Sequence, residues 1–466
     1  MKLFSAQTYS ARRAQLKSSV KSGLILLLGN DEASINCTDN HYRYRQDSSF
    51  LYFFGISQPN LNAIIDVDSG EEVLFGNELS IEDIIIVGQQ ETLGSMAEKV
   101  GIKNLQPSSN LTAKISKTLA SKQNIHYLPP YRFDNILKLS EWLQKTPSTI
   151  KSGASKELIN AVVNLRSYKS EEEIIEMTYA VNVSGMMHQN AMKAAMDPQK
   201  DFEFELVAEI YKTAKANNCY LAYPAIFSIN GQTLHNHYHG NKIDKDRMIL
   251  NDSGAENEMC YAGDITRTFP ANGKFTTKQK EIYDIVLEME ESSIASLKAG
   301  VMNRDIHIAS NELMLSRLKE LDIISGDVKD LTQQGLGGLF MPHGLGHMIG
   351  LDVHDMEDLG EDLVGYRENL KRSTQLGLKS LRLAKELEAG FVITVEPGIY
   401  FTPELIQKWK AEGKFKDAVN YQKLESYFDF GGIRIEDDIL ITDTGYRVLG
   451  DRIPTTVDEI EKTMSV

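Results

Sequence analysis

Residues 341–355 read MPHGLGHMIGLDVHD and place His343, His347 and His354 close together in a chain with only 10 histidines. Histidines at i and i+4 chelate metal on one helical turn, but the zinc-peptidase helix needs a Glu directly after the first His, and here Gly344 stands there. Gly344, Gly346 and Gly350 would each cost a helix about 1 kcal/mol. The stretch therefore reads as a glycine-rich loop or strand that lets backbone approach a neighbour closely. Any partners of these imidazoles must come from elsewhere in the chain.

The chain has carboxylates in unusual places. In RMILNDSGAENEMCYAGDITRTF (247–269), Asp252 ends one apolar strand-like run and Asp264 begins the next, so a hairpin would bring them together. Asp is depleted in strands because its short charged side chain is costly to bury, and two in neighbouring apolar strands suggest a shared cation. Glu396 closes the apolar run of GFVITVEPGIY, and Glu436 interrupts the alternation of GGIRIEDDILI. Period two puts Arg434 on the face of Glu436, where it would either neutralise a carboxylate cluster or pair with Glu436 alone. Asp252, Asp264, His347, Glu396 and Glu436 are four carboxylates and one imidazole, each beside a strand-forming run. That set suits two hard or borderline divalent ions, Mn²⁺ first, with Co²⁺, Zn²⁺ or Fe²⁺ as alternatives, and is too poor in soft ligands for a structural zinc site. A bridged pair about 3.5 to 4 Å apart activates water near neutral pH. A second histidine group, His235, His237 and His239 in TLHNHYHGN, joins His343 and His354 as candidate hydrogen-bond donors to the charge that builds on an attacked carbonyl.

With 466 residues, two domains are expected, and 42% hydrophobic with 25% charged residues is ordinary for a globular protein. The 50 Lys+Arg against 65 Asp+Glu give a formal charge of -15, which argues against nucleic acid or an anionic membrane as partner. Three cysteines make no disulfide framework and read as reduced thiols in the cytoplasm. The early apolar run GLILLLG (23–29) is too short to span a bilayer and reads as a buried strand.

The expected class is α/β (α+β), with a non-catalytic α/β domain at 1–155 and a catalytic domain at 156–466. In the first domain LNAIIDV, GEEVLF and EDIIIVG read as strands, and YRYRQDSSFLYFFGI (42–56) as an edge strand packed on its aromatic face. KTPSTIKSGAS (145–155) reads as a linker or domain edge. Beyond it, Ser170 and Glu173 form a capping box that opens a long helix, in which His188 packs or faces solvent without a functional role.

In order along the chain, ILNDSG, YAGDITRTFP, MPHGLGHMIGLDVHD, TVEPGIYF and GGIRIEDD resemble the aminopeptidase P and prolidase family of pita-bread metallopeptidases. The resemblance covers most of the chain. It implies that Asp252 binds one metal ion, that His347 and Glu396 bind the other, and that Asp264 and Glu436 bridge them. Glu396 would also shuttle protons. By the same resemblance His235 and His354 face substrate, with His239 the second choice and His237 the third. His343 would line the pocket, with Arg434 and Tyr400 supporting it. The implied activity is hydrolysis of the bond between an N-terminal residue and a following proline in a peptide. The long stretch between His354 and Glu396 resembles that of prolidases, so a dipeptidase is the alternative, and a non-catalytic peptide-binding module is the remote one. The N-terminal domain would cap the pocket of a neighbouring subunit in a homodimer or larger homo-oligomer. An X-Pro bond is a tertiary amide without N–H, so its substrate must be held by the free amine and the ring.

Overall fold

A computed structural model describes residues 2–465. It divides into two compact units, one made of residues up to Arg166 together with Met356–Leu363, the other of Ser167–Asp355 with the chain from Val364 onward.

The first unit is built on a five-stranded mixed sheet in the order Leu105–Gln106, Glu72–Phe75, Asn62–Asp66, Leu24–Leu28, Ile125–His126. The run expected to be a buried strand is its fourth member, with Leu24, Ile25 and Leu26 fully buried. Leu24, Leu26, Ile64, Val73 and Phe75 pack against Leu111, Ile115, Ile136 and Leu139 of two helices, Asn110–Ala120 and Phe133–Leu143. The turn after Asn62–Asp66 closes through Gly70 N–H donating to the Asp66 carbonyl, 2.8 Å, with Gly70 at φ 77°.

Three expectations fail here. The stretch 42–56 is not an edge strand: Ser48–Phe54 is a helix, begun by Asp47 accepting Phe50 N–H at 2.8 Å and ended by Gly55 in the left-handed region at φ 67°. Every residue of that helix is buried, so its sequence carries neither a period of two nor of 3.6. EDIIIVG is not a strand either. A capping box between Ser80 and Asp83 starts the helix Ile81–Val87, none of whose residues is buried. The segment read as a linker or domain edge is not an unstructured linker: it contains the helix Pro147–Ser152, which Thr146 caps and Ile150 anchors in the core.

The second unit opens with the expected long helix, Glu171–Ala194, whose Ser170–Glu173 capping box is present. His188 is buried in it, held by the Ser253 carbonyl at 3.0 Å and the Asn251 amide at 3.0 Å. The unit contains the helices Glu171–Ala194, Glu203–Ala216, Thr277–Ala295 and Asn303–Glu320 and several small antiparallel sheets. One orders Thr266–Pro270, Met248–Asp252 and Ile226–Ser228; another orders Val392–Val395, Asp437–Ile441 and Tyr446–Val448; a third pairs Gly398–Tyr400 with Gly432–Arg434. A bridge between Thr266 and Glu436 joins the first two, and a bridge between Met348 and Ile393 ties the histidine loop to the second.

Candidate metal centre

Strand register assembles the acids. Val395 pairs with Asp437, so one step further along the same register sets Glu396 beside Glu436. Asp252 pairs with Thr266, two residues after Asp264, and Thr266 in turn bridges to Glu436. The hairpin inferred from the two aspartates is therefore present, and its open end abuts the carboxylates of the second sheet.

The loop 341–355 contains no helix and lies along Val392–Val395. Thr394 N–H donates to the His347 carbonyl at 2.9 Å, His347 N–H to Thr394 Oγ1 at 3.1 Å, and Glu396 N–H to the Leu345 carbonyl at 2.8 Å. Gly346 makes this approach possible: a Cβ there would sit 2.0 Å from the Thr394 carbonyl oxygen.

His347 Nδ1 lies 3.0 Å from the Met348 carbonyl, which accepts only if Nδ1 carries the proton. Nε2 is then left with its lone pair, 3.5 Å from Asp264 Oδ2 and 3.6 Å from Glu396 Oε1. An imidazole nitrogen facing two carboxyl groups this closely is an arrangement that a cation would hold together. Among the described residues Asp264, His347 and Glu436 each offer a ligand atom within 4.8 Å of the others, and all three are buried.

Electrostatics support the same conclusion. Burial is the first cause raising the pKa of Asp252, Asp264, Glu396 and Glu436, and Asp264 adds to the rise in the other three. Glu396 is pushed up to about 8. Its side chain is also the most open of the set, 19% exposed. Among the described residues the cation in direct contact with the acids is Arg434. Arg434, 4% exposed, donates Nη2 to Asp252, Nη1 to Tyr400 Oη at 2.9 Å and Nε to Thr266 Oγ1 at 3.1 Å. Of the two expectations for Arg434, charge neutralisation of the cluster fits these contacts, because its ion pair is with Asp252 rather than Glu436. One guanidinium cannot balance four carboxylates in a desolvated site, whereas divalent ions can. The donor set, oxygen-rich with one imidazole, fits them.

Several residues at the centre gave no signal in the sequence. Tyr223 hydroxyl contacts Asp252 Oδ1 at 2.6 Å and also Asp264 Oδ1, so it ties the two aspartates together. Nothing in its aromatic neighbourhood distinguishes it from a packing tyrosine. Thr266 donates to Glu436 Oε2 at 2.6 Å, and buried Asp438 accepts Asp264 N–H at 2.9 Å. Period two from Asp264 would have found Thr266.

The remaining histidines divide. Tyr400 Oη accepts from Arg434 and so spends its proton on His343 Nε2, 2.9 Å away, while His343 Nδ1 donates to the Gly344 carbonyl at 2.7 Å. Both nitrogens of His343 are occupied within the protein, and burial lowers its pKa to about 3. It lines the centre as a neutral ring with no donor left over. The His354 ring packs edge-on against His347, centroids 4.3 Å apart, and is electrostatically coupled to Asp264 and His235. His235 is open to solvent yet feels Arg434, Asp252, Arg382 and His354, its pKa lowered first by desolvation. His239 Nε2 is engaged by the Ala225 carbonyl at 3.0 Å, and His237 is exposed. Of the three, His235 has the electrostatic contact with the centre. Buried Glu203 holds that loop, accepting Ile229 N–H at 2.8 Å and the Asn241 amide at 2.9 Å.

The model of metallopeptidase family M24 matches residues 176–443, and that of the aminopeptidase P N-terminal domain matches residues 9–127. The human protein named Xaa-Pro dipeptidase is 33% identical over 97% of this chain and 91% of its own length. A probable Xaa-Pro aminopeptidase of Podospora anserina is 31% identical over 95% and 93%. The solved structure of zinc-substituted E. coli aminopeptidase P in complex with product is 30% identical and superposes with a TM-score of 0.79 over 99% of both chains.

Proposed function

The chain belongs to metallopeptidase family M24, with an aminopeptidase P N-terminal domain ahead of a pita-bread domain, and we propose that it removes the N-terminal residue of peptides whose second residue is proline. The observation that carries this reading is the buried convergence of Asp264, His347 and Glu436, with Glu396 in reach and Arg434 paired with Asp252. We assign Asp252, Asp264, His347, Glu396 and Glu436 as ligands of two divalent ions, Mn²⁺ first. When bound, such ions polarise a carbonyl and lower the pKa of water.

The chain's own residues do the rest. A proline nitrogen must gain a proton to leave. Glu396, the most solvent-open of the acids, carries it. His235 and His354 donate to the carbonyl oxygen as charge develops there. The acidic surroundings attract the substrate's free amine and select against internal peptide bonds. We place the protein in the cytoplasm, in keeping with three free cysteines. Among the described residues no helix is long and apolar enough to cross a membrane.

One observation favours dipeptides. Arg382 acts on the charge of both Glu396 and His235, and so supplies a cation beside the reacting groups that suits a substrate's terminal carboxylate. Mn²⁺-loaded enzyme offered Ala-Pro beside Ala-Pro-Ala tests both readings, with Ala-Ala-Ala as control. Cleavage of Ala-Ala-Ala at the same rate would defeat the Xaa-Pro assignment. Arg382→Ala is expected to raise KM for Ala-Pro by about 10-fold or more, the scale of one charge-assisted contact, and to leave Ala-Pro-Ala within about twofold. Equal losses on both substrates would remove the dipeptidase reading.

The helix Ile81–Val87 supports the reading of a homodimer or larger assembly, since it leaves Ile81 78%, Ile85 78% and Ile86 80% exposed. Contiguous aliphatic exposure of this kind marks an interface, and we assign it to a second copy of this chain. Ile85→Glu should shift the protein toward monomer in sedimentation velocity. An unchanged sedimentation coefficient would place the interface elsewhere.

A further inference from the structure

Lys169 and Asp355 form an ion pair that the proposed chemistry does not use. Lys169 Nζ lies 2.9 Å from Asp355 Oδ2, and each side chain is only 1% exposed. Burying two opposite charges gains little stability over apolar packing of the same shape, so their place in the fold needs another reason.

That place is beneath the turn carrying His354. The turn closes on itself: Asp355 N–H donates to the Met348 carbonyl at 2.9 Å, and Gly350 N–H to the Asp352 carbonyl at 3.0 Å. Asp355 Oδ1 accepts Asp352 N–H at 3.3 Å, so one carboxylate oxygen caps the turn while the other holds Lys169. Gly350 leaves room for them; a Cβ there would stand 2.6 Å from Asp355 Oδ2 and 3.0 Å from Lys169 Cε. Lys169 is itself fixed, since its N–H donates to the Gly390 carbonyl at 2.8 Å and Ser170 next to it caps the long helix. The other side of the turn is pinned by Ala262 N–H on the Gly350 carbonyl, 2.9 Å, two residues before Asp264. The chain thus anchors the residue directly after His354 to a helix start by a charged, desolvated, directional contact. Such a contact sets where the His354 ring stands against His347.

We propose that Lys169 is a positioning residue that acts through His354, holding its imidazole at the angle needed to meet the substrate carbonyl. The proposal rests on the reading of His354 given above. It predicts an effect on turnover rather than on substrate capture.

The test is a double-mutant cycle on the Mn²⁺-loaded full chain with Ala-Pro-Ala. Lys169→Met should lower kcat between about 10- and 100-fold, the usual cost of losing a group that orients an active-site residue, with KM within about threefold. In a His354→Ala background the same substitution should change kcat by less than about twofold, because the group it orients is gone. An equal loss in both backgrounds, or no loss in the parent, would overturn the proposal. Should Lys169→Met fail to fold, Lys169→Met with Asp355→Asn removes both charges and keeps the cap on Asp352 N–H. Reduced kcat in that folded double variant supports positioning, and full recovery overturns it. Parent-like turnover of His354→Ala alone would instead sink the reading of His354, and this proposal with it.

Discussion

Asp264→Ala and Glu436→Ala are expected to fold, to retain neither of the proposed metal ions after gel filtration, and to lose kcat/KM on Ala-Pro-Ala by at least about 10³-fold, or about 4 kcal/mol of transition-state stabilisation. The reason lies in where the two side chains sit. Both share the buried cluster with His347, and Asp264 also meets Asp252 through the Tyr223 hydroxyl. Either truncation removes a donor from the middle of the set rather than its edge. Folding survives because each substitution also removes one of several mutually repelling carboxylates. The same repulsion gives a pH signature to the metal-free protein. Glu396 has an ordinary value of 4.5 and is raised to about 8 in the fold, so between those limits the native state holds more protons than the unfolded chain. Stability of the chelated protein therefore falls as pH rises through that window. Bound cations keep the carboxylates ionised, so the Tm difference between Mn²⁺-loaded and EDTA-treated protein widens from pH 5 to pH 8. Asp264→Ala should flatten the chelated curve, since Asp264 is one of the charges raising Glu396. Elemental analysis, steady-state kinetics and thermal scans check these points. Full turnover by a metal-free Asp264→Ala protein would refute the ligand assignment.

Arg434→Met is expected to cost about 3 to 5 kcal/mol of stability in the metal-free protein, the scale for removing one partner of a buried pair. Its guanidinium serves Asp252, Tyr400 and Thr266 at once. Without it Asp252 loses its cation, and Tyr400 loses the donor that fixes its proton on His343. Arg434→Lys should recover little, because one ammonium group cannot reproduce a planar fork reaching three acceptors, two on a hairpin and one on a third strand. Urea unfolding after chelation measures the loss. A change below about 1 kcal/mol would mean that the cluster is neutralised in some other way. In loaded protein the loss should be smaller, as the cations take over part of that neutralisation.

What the sequence determined by itself is local. Glycines at 344, 346 and 350 excluded a helix for the histidine loop, and strand-breaking acids stood out at 252, 264, 396 and 436 because apolar runs surround them. The Ser170–Glu173 capping box needed nothing beyond four residues to be legible. Where local pattern was empty the reading failed. The helix Ser48–Phe54 is buried all round and so has no periodicity, and the isoleucines of Ile81–Val87 read as a strand although Ser80 and Asp83 start a helix. Only the tertiary structure decided who meets whom: that Arg434 pairs with Asp252 and not with its strand neighbour Glu436, that Tyr223 joins two aspartates, that His343 has both nitrogens occupied, and that Lys169 reaches beneath the His354 turn. These contacts link residues far apart in the chain, and their formation depends on the register between strands. Register is set by the summed burial of whole sheets, whereas propensity, caps and period act over a single turn or pleat.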